Sequence, residues 1–279
     1  MSKISERWKY ARIEQGYCLI CGAHGKLSQD HVPPKCVVPP AEVEQRLITE
    51  FRNSDIRGVK ANHGSVFKTI CTDCNNGLGP HDAEIKRVTG ELNGKIKDHL
   101  ERPFSIYNTV SSDVNAMSYL RGMVGHVLSA APNSSCLVPR NDVPFYKQLS
   151  DFVLGYNDHI TETHTFKYWF YPNRMNITGA LFGLINTTKA SNSTEESVST
   201  AACIYFYPVA LLITEPNRTF NEIAPFMRTL TPQDDRIVLD LSPLYINHSA
   251  FPFFSLQDTI LAMHDSYVTV SHAPQRRKY

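Results

Sequence analysis

Two short cysteine pairs constrain this chain more than anything else in it: Cys18-Leu-Ile-Cys21 and, much further on, Cys71-Thr-Asp-Cys74. Two intervening residues let both sulfurs of a pair face one ion from a tight turn, and two such knuckles supply the four thiolates of a tetrahedral zinc site. Any fold of this chain then has to bring the two segments together. Asp30-His31 stands between the knuckles and Asn75 directly follows the last cysteine. The staple would gather a carboxylate, an imidazole and an amide around one place.

At 279 residues, 42% hydrophobic and 20% charged, the chain has the composition of a soluble globular protein with room for two domains. The start, Met1 to Lys9, has no apolar stretch fit for a secretory signal, and the longest apolar run, Ala201 to Ile213, is too short for a membrane helix and carries Pro208. The expectation is a cytoplasmic protein with no membrane partner. In a reducing compartment four of the seven cysteines are zinc ligands, and Cys36, Cys136 and Cys203 stay as thiols. Sequons at Asn176, Asn186, Asn217 and Asn247 then carry no weight. The net charge of +1 gives no general attraction to a polyanion, although residues 1–102 carry 16 Lys/Arg against 13 Asp/Glu.

Residues 5–15 have helical composition and stop at Gly16. A strand is expected over Leu27–Val32, a helical insertion over Ala41–Phe51 (Val43, Leu47, Ile48, Phe51), a return strand over Val66–Ile70, and a helix over Asp82–Leu100 with Ile85, Val88, Leu92 and Ile96 on one face. Further helices are expected at Val114–Ala131 and Pro144–Leu154, with one more at Asn221–Arg228. Strands follow at Phe166–Tyr171, Ile177–Ile185, Ser199–Ile213 and Arg236–Ile246, with a polar loop over Lys189–Glu196. The fold class is α+β, divided at about 1–103 and 104–279, the second part built on an antiparallel sheet.

Cys18-x-x-Cys21, Asp30-His31-Val32-Pro33-Pro34, a return strand and Cys71-x-x-Cys74-Asn75 together resemble the HNH endonuclease family, of ββα-metal fold, in its four-cysteine form. The resemblance covers roughly residues 15–100. It implies a structural Zn2+ on the four cysteines, a catalytic Mg2+ or Mn2+ held by Asp30 and Asn75, and His31 as the general base that activates water. It also implies DNA as the substrate and products with a 5′ phosphate. An amide in place of imidazole at Asn75 suits a hard cation. The family's central Asn has no counterpart at Ser65, Val66 or Phe67; Asn62 is the nearest candidate, several residues early. His63 and His81 are near the motif and either could stand in for a missing ligand, His81 being the better placed.

Two other readings compete. One is a non-catalytic zinc-stapled module that binds nucleic acid or protein. The other is a regulated effector, as in host defence, whose residues 104–279 restrain the nuclease until a partner or small ligand arrives; the same residues could bind a protein partner or form a homo-oligomer. Tyr168, Phe170 and Tyr205–Tyr207 could stack bases or pack a core, and Arg276-Arg277-Lys278 could be a solvated tail or touch phosphate.

Overall fold

The computed structural model of the chain describes residue 6 and residues 12–38, 42–47, 58–62, 65–102, 107–140, 143–172, 177–189, 196–216, 218–219, 227–242 and 260–264. Within these the fold is mixed α+β with antiparallel sheets. Of the sequence expectations, His63, most of the helices proposed at 5–15 and 221–228, most of the 189–196 loop and the basic run 276–278 lie outside the described residues.

The N-terminal unit is a three-stranded sheet in the order β1 (Gln15–Tyr17), β2 (His24–Val32) and β5 (Ser65–Cys71), followed at once by helix α1 (Thr72–Glu101). Gln15–Tyr17 is thus extended where the helix of residues 5–15 was expected to stop. The turn between β1 and β2 closes through Gly22 N–H to the Cys18 carbonyl (2.8 Å) and Cys18 N–H to the Ala23 carbonyl (2.9 Å). Its φ of +76° at Gly22 is one that a side chain would resist. Helix α1 begins ten residues before the expected Asp82, because Cys71 caps it: the Cys71 Sγ accepts from the Cys74 N–H at 3.4 Å. From there Leu78, Ile85, Val88, Leu92 and Ile96 form the buried stripe. The apolar spacing identified that face; the weak helix formers Gly77, Gly79 and Pro80 hid the start.

The segment between β2 and β5 is a correction. Val43, Leu47 and Ile48 suggested a helix, but β3 (Glu42–Leu47) and β4 (Val59–Asn62) form an antiparallel pair in which Val43 and Gln45 are buried and Glu44 and Arg46 are half-exposed. A strand period of two and a helical spacing coincide over so few residues. The pairing with a strand remote in sequence decided it. Strand β3 adds to β14 (Ile260–His264), which in turn pairs with β8 (Ile177–Lys189), so residues before 103 contribute to the large sheet.

That sheet runs β12 (Arg228–Leu230), β7 (Thr165–Phe170), β10 (Val209–Thr214), β9 (Glu196–Phe206), β8, β14, β3 and β4, with β11 (Arg218–Thr219) beside β8. Every residue of β10, which lies between β7 and β9, is buried. The expected strand Ser199–Ile213 is two strands folded about Tyr207-Pro208, and Arg228, expected to end a helix, starts β12 (Arg228–Leu230). Phe166, Tyr168, Phe170 and Tyr205 are buried in the core, not offered to bases. A separate pair joins β6 (Thr109–Asp113) to β13 (Arg236–Asp240); residues 243–246 of the expected strand lie outside the described residues.

Helices α2 (Ala116–Ser129) and α3 (Pro144–Val153) match their expected places. Helix α2 is buried on nearly every side, and its buried apolar side chains belong to a cluster that includes residues from Cys18 to Leu241. Its contact with α1 is close because it presents glycine there. A Cβ at Gly122 would lie 2.7 Å from Ile85 Cδ1 and 3.0 Å from His81 Cβ, and one at Gly125 would lie 2.4 Å from Leu78 Cδ2. Gly122→Ala is therefore expected to overpack the α1–α2 seam and lower stability by about 1–3 kcal/mol in urea unfolding. Unchanged stability would mean the helices are not in this contact. Among the described residues no helix is long and apolar enough to cross a membrane.

Candidate metal centre

Four sulfurs meet where β1, β5 and α1 converge. Those of Cys18, Cys21, Cys71 and Cys74 all lie within 4.8 Å of one another. The Cys21 and Cys71 sulfurs are 3.8 Å apart, too far for a disulfide and equal to the separation of about 3.8 Å that bonds of about 2.3 Å impose on a tetrahedron. Backbone N–H groups of Cys71 and Cys74 point at the Cys18 and Cys71 sulfurs (3.3 and 3.4 Å), as thiolate acceptors require. The Cys18 thiol is drawn down to about 4, chiefly by its hydrogen bond with Cys74, and Cys74 is pushed far up by the same contact and by burial. The set can hold a metal ion.

The clamp fixes what lies next to it. Asn75 follows Cys74 in the first turns of α1, and its Nδ2 donates to Ser28 Oγ and to the Gln29 carbonyl, both at 2.9 Å. Both contacts use the amide nitrogen, and they tie the start of α1 to β2. Ser28 and Asp30 are two residues apart on one strand and share a face. The ladder slips between them: Ser28 pairs with Ile70 but Asp30 with Phe67, so Lys68 and Thr69 of β5 together oppose Gln29. The extra residue bends β5 rather than β2. Alternation along β2 therefore carries His31 to the face opposite Asp30, where it is half-exposed.

Asp30 is 3% exposed and points inward to α2. Its Oδ2 accepts from Ser129 Oγ and lies 3.0 Å from His126 Nδ1; the other ring nitrogen, Nε2, lies 2.7 Å from Asp82 Oδ1 on α1. Burial opposes a charge on His126, but Asp30 and Asp82 outweigh it and raise the ring to about 10. The carboxylate is thus braced through one oxygen. Carboxyl and amide oxygens are by their chemistry ligands for a hard divalent cation, and Asp30 and Asn75 each carry one that no hydrogen bond to the described residues occupies.

The remaining candidates are elsewhere. Asn62 ends β4, paired with Glu42 at the edge of the large sheet. His81 lies off the face of α1 that Asn75 and Asp82 share; its Nδ1 is 2.9 Å from Ser118 Oγ, and burial followed by the nearby Arg121 lowers its pKa. It faces a cleft of about 770 Å³ lined by Cys21, Cys74, His81 and Arg121 among others, on the side of α1 away from Asn75. The structure does not bring His81 together with Asp30 or Asn75. Sequence reasoning missed His126, Ser129 and the part played by Asp82. The signal for His126 was present: a histidine inside the apolar run Gly122-Met-Val-Gly-His-Val-Leu requires a polar partner.

These features define a strand–strand–helix unit whose four clustered cysteines could hold a metal ion, with the Asn75 amide tied to β2 and the Asp30 carboxylate buried against α2. No protein-family model, curated protein or solved structure matches the chain.

Proposed function

We propose that the chain is a metal-dependent endonuclease of HNH type that hydrolyses phosphodiester bonds in DNA, with zinc on the four cysteines. The observation that carries this reading is the Asn75 amide tied to β2 within two residues of Asp30, by a helix that starts on the cysteine clamp. Asp30 Oδ1 and Asn75 Oδ1 would hold a Mg2+ or Mn2+ ion. When bound, that ion would offset charge building on the phosphate and on the departing 3′ oxygen. The resemblance implies His31 as the base; to take the proton from water as the water oxygen bonds to phosphorus and the P–O3′ bond breaks, its partly exposed side chain would have to turn from the face of β2 opposite Asp30 to the ion's side. A 5′ phosphate and a 3′ hydroxyl would result.

The test is plasmid nicking with Mg2+ or Mn2+. His31→Ala is expected to slow it by about 10²–10⁴-fold without loss of fold. Equal rates in both proteins, or no cleavage with any divalent ion, would sink the proposal. One observation favours the non-catalytic reading: Asp30 is buried, with one oxygen committed to the interior. DNA binding that persists in a chelator selective for Mg2+ over zinc, with no product formed, would select that alternative.

A further inference from the structure

We infer that His126 on α2 is the positioning residue for the divalent-ion site, holding Asp30 Oδ2 from outside the ββα unit so that Oδ1 faces the ion. This deepens the nuclease reading and rests on it. Carboxylates that ligate a metal are themselves held by hydrogen bonds, and losing such a partner weakens metal binding. Asp30 has two partners on the same oxygen, His126 Nδ1 and Ser129 Oγ, one helical turn apart on α2. His126 is 1% exposed, so no water replaces it.

The second ring nitrogen makes the arrangement more than a single brace. Its contact with Asp82 Oδ1 ties the imidazole to α1, the helix that carries Asn75 seven residues earlier on the same face. One buried ring therefore links the strand bearing one proposed ligand to the helix bearing the other. The bridge comes from residues beyond 103. An excised ββα unit would lack it, and this supplies a structural reason for the rest of the chain to be attached.

The ring has two ends, which separate positioning from simple filling of space. An Asn amide nitrogen sits near where Nδ1 stood and can still donate to Asp30, whereas a Gln amide nitrogen sits near Nε2 and reaches toward Asp82 instead. The experiment titrates the zinc-loaded full chain with Mn2+ and follows the free aquo ion by electron paramagnetic resonance, with zinc content and circular dichroism checked in parallel. The wild type is expected to bind one Mn2+. His126→Gln is expected to weaken that binding about 10- to 100-fold, while His126→Asn keeps it near the wild-type value. Equal affinity in the wild type and His126→Gln, or equal losses in both variants, overturns the inference. Should neither variant fold, Ser129→Ala removes the other donor on Oδ2 and carries the test: weaker Mn2+ binding supports the inference and unchanged binding overturns it. No Mn2+ bound by the wild type defeats the nuclease reading itself, and this inference with it.

Discussion

Cys71→Ser is expected to leave the purified chain with almost no bound zinc and to lower its melting temperature by more than about 10 °C. The size of the effect follows from comparing two magnitudes. A structural zinc site contributes about 10–16 kcal/mol, whereas a whole domain is stable by only about 5–15 kcal/mol. Cys71 is the most damaging of the four to replace because it acts twice: its sulfur stands 3.8 Å from that of Cys21 in the cluster, and it also accepts the Cys74 N–H that starts α1. Loss of the clamp therefore frays the helix from its first turn and frees Asn75 from β2. Cys36→Ser is the control, since Cys36 is exposed and outside the cluster, and it should retain zinc at one ion per chain. Zinc measured by a colorimetric chelator and helicity by circular dichroism check both. Full zinc in Cys71→Ser would show that the four sulfurs do not form one site.

Features set by local spacing were legible in the sequence, and those set by distant pairing were not. The knuckles, the return strand, the stripe Ile85, Val88, Leu92 and Ile96, and the helices at 116–129 and 144–153 follow from residues a few positions apart. Strand β3 could not be read this way, since its pairing with β14 joins segments near opposite ends of the chain. The candidate site divides in the same manner. Cys18, Cys21, Cys71 and Cys74 announced themselves by spacing, and the meeting of Asn75 with Ser28 and Gln29 follows once the clamp is closed. The embrace of Asp30 by His126 and Ser129 depends on how α2 packs against β2, and no motif encodes that. Only the incongruity of a histidine among apolar helix residues hinted at it. His81 shows the converse: proximity to a motif in sequence put it on the wrong side of α1, because six residues of helix rotate a side chain well away from Asn75.

Asp30→Ala is expected to destabilise the chain by about 3–5 kcal/mol, more than the loss of an exposed metal ligand would. Removing this carboxylate leaves His126, 1% exposed, with Asp82 as its remaining carboxylate, and takes the acceptor from the Ser129 hydroxyl. Breaking one side of a buried charged pair costs the desolvation that the other side no longer recovers. Asp30→Asn separates the two tasks of the residue. Its amide oxygen can still accept from His126 and Ser129, so stability should be largely kept, while the negative charge that would hold the divalent ion is gone. In urea unfolding Asp30→Ala should move the midpoint down by roughly 1–2 M, and Asp30→Asn by much less. In the nicking assay both should be nearly inactive. If Asp30→Ala unfolds where the wild type does, the contact between β2 and α2 is not formed in solution. If Asp30→Asn cuts as fast as the wild type, the carboxylate serves only to hold α2 against the sheet, and the non-catalytic reading takes precedence.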